Sequence, residues 1–167
     1  LPGLKRRFAQ SHITWVTREE AAPLLEDNPL VDRLLPVSWE SALALQHEQF
    51  DLLLSLDKEW ESTALAMAVP AREKLGVGLS PTGKPVPLNH EAEYYLKLGL
   101  DNELKFFQNT KTYQEIIYEL SRLEYHHDEY LLHLGEQEIA YGRQVLRALG
   151  IDDGDLVIGL NTGAGGT

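Results

Sequence analysis

Cysteine is absent from this 167-residue chain, and methionine occurs once. Disulfides, thiolate nucleophiles and thiolate metal ligands are thereby excluded, which agrees with a reducing cytoplasm. Long apolar runs are also lacking. Leu52-Leu-Leu54 is among the longest, far short of the roughly 20 residues a membrane-spanning helix needs. Positive charge is scarce: 15 Lys and Arg stand against 26 Asp and Glu, a net charge of −11 with His neutral. A duplex-binding protein carries a basic patch, and here the basic cluster Lys5, Arg6, Arg7 stands nearly alone. Bulk nucleic-acid binding is therefore not expected. The cluster reads as a solvated helix face, with an anionic lipid or acidic acceptor as the functional alternative.

What is present is ordinary globular material, 43% hydrophobic and 25% charged, enough for one domain with a core. Leu4 to Phe8 reads as the tail of a helix. His12 to Thr17 is β-branched and aromatic, a strand. Arg18 to Glu26 reads as a helix that Asn28-Pro29 ends. Val31 to Val37 is a second strand. Ser41 to Gln49 is helical, with Ser38 or Ser41 as its N-cap. Phe50 to Leu56 is a third strand and the most buried by pattern, and Glu59 to Ala68 follows as a helix. Strand, loop and helix repeated at this spacing predict βαβ units: one parallel sheet with helices on both faces.

Arg72 to Leu79 reads as a further strand, and Ser80 to Pro87 as a turn-rich hairpin connection. Tyr113 to Leu123 is helical, with Ile116, Ile117, Leu120 and Leu123 on one face and Thr110 or Thr112 as cap. Tyr130 to Leu134 reads as extended. Glu136 to Leu149 is helical, with Gly150 at the C′ position, and residues 151–154 form a turn. No element is assigned between Pro87 and Tyr113.

Candidate sites sit at the ends of strands. Leu156 to Leu160 is a short apolar run, as a buried parallel strand reads. It leads into Thr162, Gly163, Ala164, Gly165 and Gly166. Glycine leaves no Cβ between backbone and ligand, and such a turn can aim several N–H groups at a phosphate. A plain left-handed turn is the bland alternative. In open α/β sheets ligands bind beyond the carboxyl ends of strands. Asp57 and Lys58 after the third strand, and Thr17 and Arg18 after the first, are candidates on that ground. For Asp57, capping of the next helix explains the residue equally well. His126, His127, Asp128, Glu129 and His133 bring metal ligands close in sequence. The extended reading of Tyr130 to Leu134 breaks their shared helical face, so no metal is expected.

Taken together, certain blocks resemble glycosyltransferase family 9, the lipopolysaccharide heptosyltransferase family. They are Leu4 to Phe8 with His12 to Thr17, Asn28 to Pro36, Phe50 to Asp57, and Val157 to Gly165. The resemblance implies a Rossmann-like acceptor domain over 1–134, lacking its first strand. It further implies a linker helix and turn over 135–154, then the first strand and Gly-rich turn of a nucleotide-sugar domain over 155–167. The architecture would be the N-terminal half of a GT-B enzyme. The activity implied is inverting transfer of heptose from ADP-heptose to a lipid-linked lipopolysaccharide-core acceptor at the inner membrane surface. No cofactor is implied. Thr162 to Gly166 would contact the donor diphosphate, and Thr17, Arg18, Asp57 and Lys58 the acceptor. The catalytic carboxylate of that family lies in a βα loop that would precede Leu1, so this chain alone is expected to be inactive and poorly stable. The stretch Arg72 to Asn109 is longer than in the best-known members, and the basic stretch that follows the Gly-Ala-Gly turn there has no counterpart. Two other readings stay open: an oxidoreductase with a dinucleotide domain starting near Leu156, and a noncatalytic α/β interaction module.

Overall fold

A computed structural model describes residues 1–152 and 154–160. The chain divides into two compact units, Leu1–Leu131 and Leu132–Thr167. The first unit is α/β, with one small parallel sheet, one small mixed sheet and flanking helices.

Helix α1 (Pro2–Arg7) opens the first unit, with Pro2 at a position where its missing N–H costs nothing. Strands β1 (Thr14–Thr17) and β2 (Arg33–Pro36) pair in parallel, Thr14 beside Arg33 and Thr17 beside Pro36. The crossover between them is a 3₁₀ helix, Glu19–Leu24, and not the α-helix expected over Arg18 to Glu26. Pro23 lies inside this segment and supplies no N–H, so the tighter turn replaces a regular α ladder.

Helix α2 (Trp39–Leu45) starts at Ser38, whose hydroxyl accepts from the Ser41 N–H at 3.1 Å. Strand β3 (Phe50–Ser55) pairs in parallel with β4 (Ala71–Leu79) through helix α3 (Trp60–Ala68). Strand β5 (Pro85–Pro87) then returns antiparallel to β4, closing the hairpin read from Ser80 to Pro87. Gly76 in β4 has φ +104, and a Cβ there would lie 1.9 Å from the Ser55 carbonyl oxygen. Only glycine lets the two strands approach this closely.

The expectation of one parallel sheet is corrected. β1 and β2 form one sheet, β3, β4 and β5 another, and no ladder among the described residues joins them. The burial of β3 is corrected with it. Leu52, Leu53 and Leu54 are only half-buried, because β3 is an edge strand and β4 is the central one.

The core lies between β4 and a pair of helices. These are α4 (Ala92–Leu100) and α5 (Tyr113–Leu120), with a π-helical turn, Leu104–Gln108, between them. Val77 of β4 packs with Ala92, Tyr95, Leu98, Ile116 and Leu120. Thr112 caps α5 in a full capping box with Glu115. The helix stops at Leu120, short of the predicted Leu123. Arg122 adopts φ 54, and the Leu123 N–H turns back to the Tyr118 carbonyl at 2.8 Å.

The second unit holds helix α6 (Glu136–Ala148), closed by Gly150 at φ 73. Residues 156–160 form no strand. Leu156 is 88% and Leu160 82% exposed, against the expectation of a buried parallel strand. A strand is held by a ladder, and none of the described residues pairs with this run. No described helix is long and apolar enough to cross a membrane.

Candidate functional site

The carboxyl end of β3 gathers the most chemistry. Asp57 follows Leu56 directly, and its carboxylate accepts from the backbone N–H of Lys58 at 2.7 Å and of Glu59 at 3.2 Å. Its second oxygen accepts from the Ser62 hydroxyl at 3.0 Å. Both oxygens are thus engaged at the start of α3, where orphan N–H groups and the helix dipole favour a carboxylate. Asp57 braces the turn that leads into α3, whose N-cap position is Glu59 and carries no side-chain cap bond.

Lys58 is held differently. Its ammonium donates to the Tyr95 carbonyl at 2.8 Å and lies 3.8 Å from the centroid of the Tyr95 ring. Burial, and then the positive charge of Lys105, lower its pKa below the ordinary lysine value. Gly99 makes room for it, since a Cβ there would stand 3.0 Å from Nζ. Tyr95 is fixed in turn: its hydroxyl donates to the Leu56 carbonyl at 3.0 Å, and its ring centroid lies 6.3 Å from that of Tyr113. Burial raises the Tyr95 pKa, and Tyr113 adds to the rise. The result is a half-buried cation, held by the carbonyl and ring of Tyr95, beyond the end of a parallel strand. Such a cation suits a phosphate or carboxylate.

Thr17 and Arg18 stand at the end of β1, in the other sheet. Thr17 accepts through its carbonyl from Val37 at 2.7 Å, and Arg18 is exposed ahead of the 3₁₀ helix. Among the described residues no hydrogen bond or ion pair brings either of them to Asp57 or Lys58. Thr162, Gly163, Ala164, Gly165 and Gly166 lie outside the described residues.

The basic cluster near the chain start lies on helix α1 with Arg6 and Arg7 exposed and Lys5 half-buried, and its charges are engaged within the first unit. Lys5 donates to the Ser11 carbonyl at 2.6 Å and to Asp32 at 3.0 Å. Arg6 forks onto Asp128, with its Nη2 2.6 Å from Oδ2, and Arg7 donates to the Arg122 carbonyl. Tyr118 also donates to Asp128, at 2.6 Å. Arg6 first and Tyr118 second hold the Asp128 carboxyl well below the usual range. These are ties within the first unit. His126 pairs with Glu124 at 3.2 Å, and the His127 ring lies 4.9 Å from that of Tyr125. Among the described residues no three His, Cys, Asp or Glu side chains converge as metal ligands.

Sequence reasoning missed Tyr95, Gly99, Lys105 and Tyr113. A usable signal was present: Ala92, Tyr95 and Leu98 recur at helical spacing and place Tyr95 on the buried face of a helix. Nothing in the sequence pairs that helix with Lys58, which lies 37 residues from Tyr95. No protein-family model matches the chain, and neither a curated protein nor a solved structure matches it significantly.

Proposed function

We propose that the protein is a glycosyltransferase of the family 9 kind, in which the first unit handles the acceptor and Thr162 to Gly166 meets the donor diphosphate. The preoriented Lys58 ammonium at the carboxyl end of β3 carries this reading. The residue resemblance across Leu4 to Phe8, His12 to Thr17, Asn28 to Pro36 and Phe50 to Asp57 points the same way.

In the reaction an acceptor hydroxyl oxygen attacks the anomeric carbon of ADP-heptose. The bond from that carbon to the diphosphate oxygen breaks, ADP departs, and the configuration inverts. A carboxylate removes the hydroxyl proton. Lys58 would hold an anionic group of the acceptor, a phosphate or a carboxylate, and so fix the position of the hydroxyl. Glycine N–H groups at 163, 165 and 166 would stabilise charge on the leaving diphosphate. No metal or organic cofactor is required by this scheme.

The test is binding of deacylated lipopolysaccharide-core oligosaccharide to the 167-residue chain, of which turnover is not expected. Lys58→Ala should raise its Kd by about tenfold, the equivalent of one charge-assisted contact. No binding by the unsubstituted chain would overturn the reading. Reduction of a nicotinamide cofactor by the same preparation would favour the dinucleotide alternative.

A further inference from the structure

Helix α6 carries an apolar stripe in which no residue is buried. Ile139, Gly142, Leu146 and Leu149 follow one another at intervals of three, four and three residues. Such intervals set them along one seam, at the inner positions of a heptad repeat. Leu149 is the C-cap and keeps a helical backbone, so the seam runs to the end of the helix. Ile139 is 41%, Leu146 42% and Leu149 69% exposed, and a Cβ at Gly142 would meet nothing within 4 Å.

The flanking charges select what covers this seam. Glu138 stands just before the first seam residue, and Arg143 just after Gly142. On a single helix a side chain meets those three and four positions away. Neither Glu138 nor Arg143 has an opposite charge at either spacing, and neither joins an ion pair among the described residues. In a parallel pair of helices, the residue before an inner position faces the fifth residue further along the other helix. That rule sets Glu138 of one copy against Arg143 of a second copy, twice by symmetry. Antiparallel pairing of the same seam would bring Arg143 against its own copy, a repulsive arrangement. A bilayer fits less well. An interfacial helix is rich in Lys and Arg on its polar face, whereas α6 balances Glu136 and Glu138 against Arg143 and Arg147.

We propose that α6 is a self-association surface. A second copy of this chain pairs its own α6 in parallel along the seam from Ile139 to Leu149, and Glu138 and Arg143 bond across both flanks. The seam is short, and Gly142 leaves one inner position unfilled. Association is therefore weak, with a Kd on the order of 100 µM. At the roughly 5 µM of a thermal melt the chain is then a monomer. The interface goes beyond the transferase reading and holds whatever the first unit binds.

Sedimentation equilibrium of the 167-residue chain between about 5 and 500 µM tests it. The mean mass should rise from that of one chain toward that of two. Glu138→Arg and Arg143→Glu should each raise the Kd by about tenfold or more. An equimolar mixture of the two variants should recover the rise, because each then meets its opposite across both flanks. Orientation is read separately. The chain has no cysteine, so Leu149→Cys supplies a single thiol. Parallel pairing places it beside its own copy, and oxidised glutathione should link the two. Gln144→Cys, on the far side of α6, should stay unlinked. The thermal midpoint at low concentration reports that each variant folds, and if a charge variant does not, the linking of Leu149→Cys decides. A single-chain mass over the whole range would overturn the proposal, whether the first unit or a bilayer takes the stripe instead. So would a dimer indifferent to both charge changes, or equal linking at positions 144 and 149.

Discussion

Arg122 holds a backbone conformation that normally belongs to glycine. At φ 54 it occupies the C′ position after α5, where its Cβ crowds the following carbonyl oxygen at about 1–2 kcal/mol. Its guanidinium offsets this by reaching Glu91 at 3.1 Å and Glu73 at 3.0 Å. Asn89 donates to Glu91 as well, at 2.7 Å, and chiefly Asn89, with Arg122 beside it, holds the Glu91 carboxyl at about 2. Both ion pairs are substantially exposed, so each contributes only about 0–1 kcal/mol. The two effects are of similar size, and substitutions separate them. Arg122→Gly removes strain and pairs together and should shift unfolding stability by less than about 1 kcal/mol. Arg122→Ala removes the pairs but keeps the strain, and should be the less stable variant in urea unfolding. An alanine variant as stable as the glycine one would show that the left-handed turn costs nothing here. At this scale local roles were legible and distant ones were not. Ser38 just before a helix announces a cap. Arg6 announces nothing about Asp128, because 122 residues of chain separate them and only the fold brings them together.

Elements were legible wherever a periodic pattern came with its own start and stop signals. Ser38 before α2, Thr112 with Glu115 before α5, and Gly150 after α6 each fix a helix end by a local hydrogen bond or backbone angle. Helix α4 was missed although Ala92, Tyr95 and Leu98 are buried at regular spacing, since it follows a Pro- and Asn-containing turn and carries no side-chain cap. Strand pairing was the least legible feature. An apolar strand states that it wants neighbours and does not state which edge will have one. The Thr17 carbonyl accepts from Val37, so Trp15 and Thr17 direct their backbone groups toward β2, and Thr14 and Val16 direct theirs the other way. Phe50 donates to Pro70, so Phe50, Leu52 and Leu54 face β4 while Leu53 faces the open side. Among the described residues no strand occupies either open side. Amide hydrogen exchange should therefore be faster at Val16 than at Trp15, and faster at Leu53 than at Leu54. Equal protection within each pair would mean that another strand covers those edges in solution.

For the molecule as a whole, stability should reside in the first unit. The clustered core residues, from Val77 to Leu120, all fall within Leu1–Leu131, where β4, α4 and α5 bury them against one another. Helix α6 buries no residue, and its apolar Ile139, Val145, Leu146 and Leu149 are between 37% and 69% exposed. Thirteen residues of helix are marginal without a packed face, since an isolated helix shorter than about 12–15 residues barely forms in water. The clustered core lies wholly in the first unit, so a chain without residues 132–167 should keep most of its unfolding free energy, which buried surface sets. A chain ending at Leu131 should unfold with a thermal midpoint within about 3 °C of the 167-residue chain, about the shift that 1 kcal/mol produces in a domain of this size. The peptide 132–167 alone should show little helix by circular dichroism. A midpoint lower by about 10 °C in the truncated chain would correspond to a loss of several kcal/mol. That result would mean the apolar face of α6 and the run from Leu156 to Leu160 are buried in solution, and that the core extends beyond β4, α4 and α5.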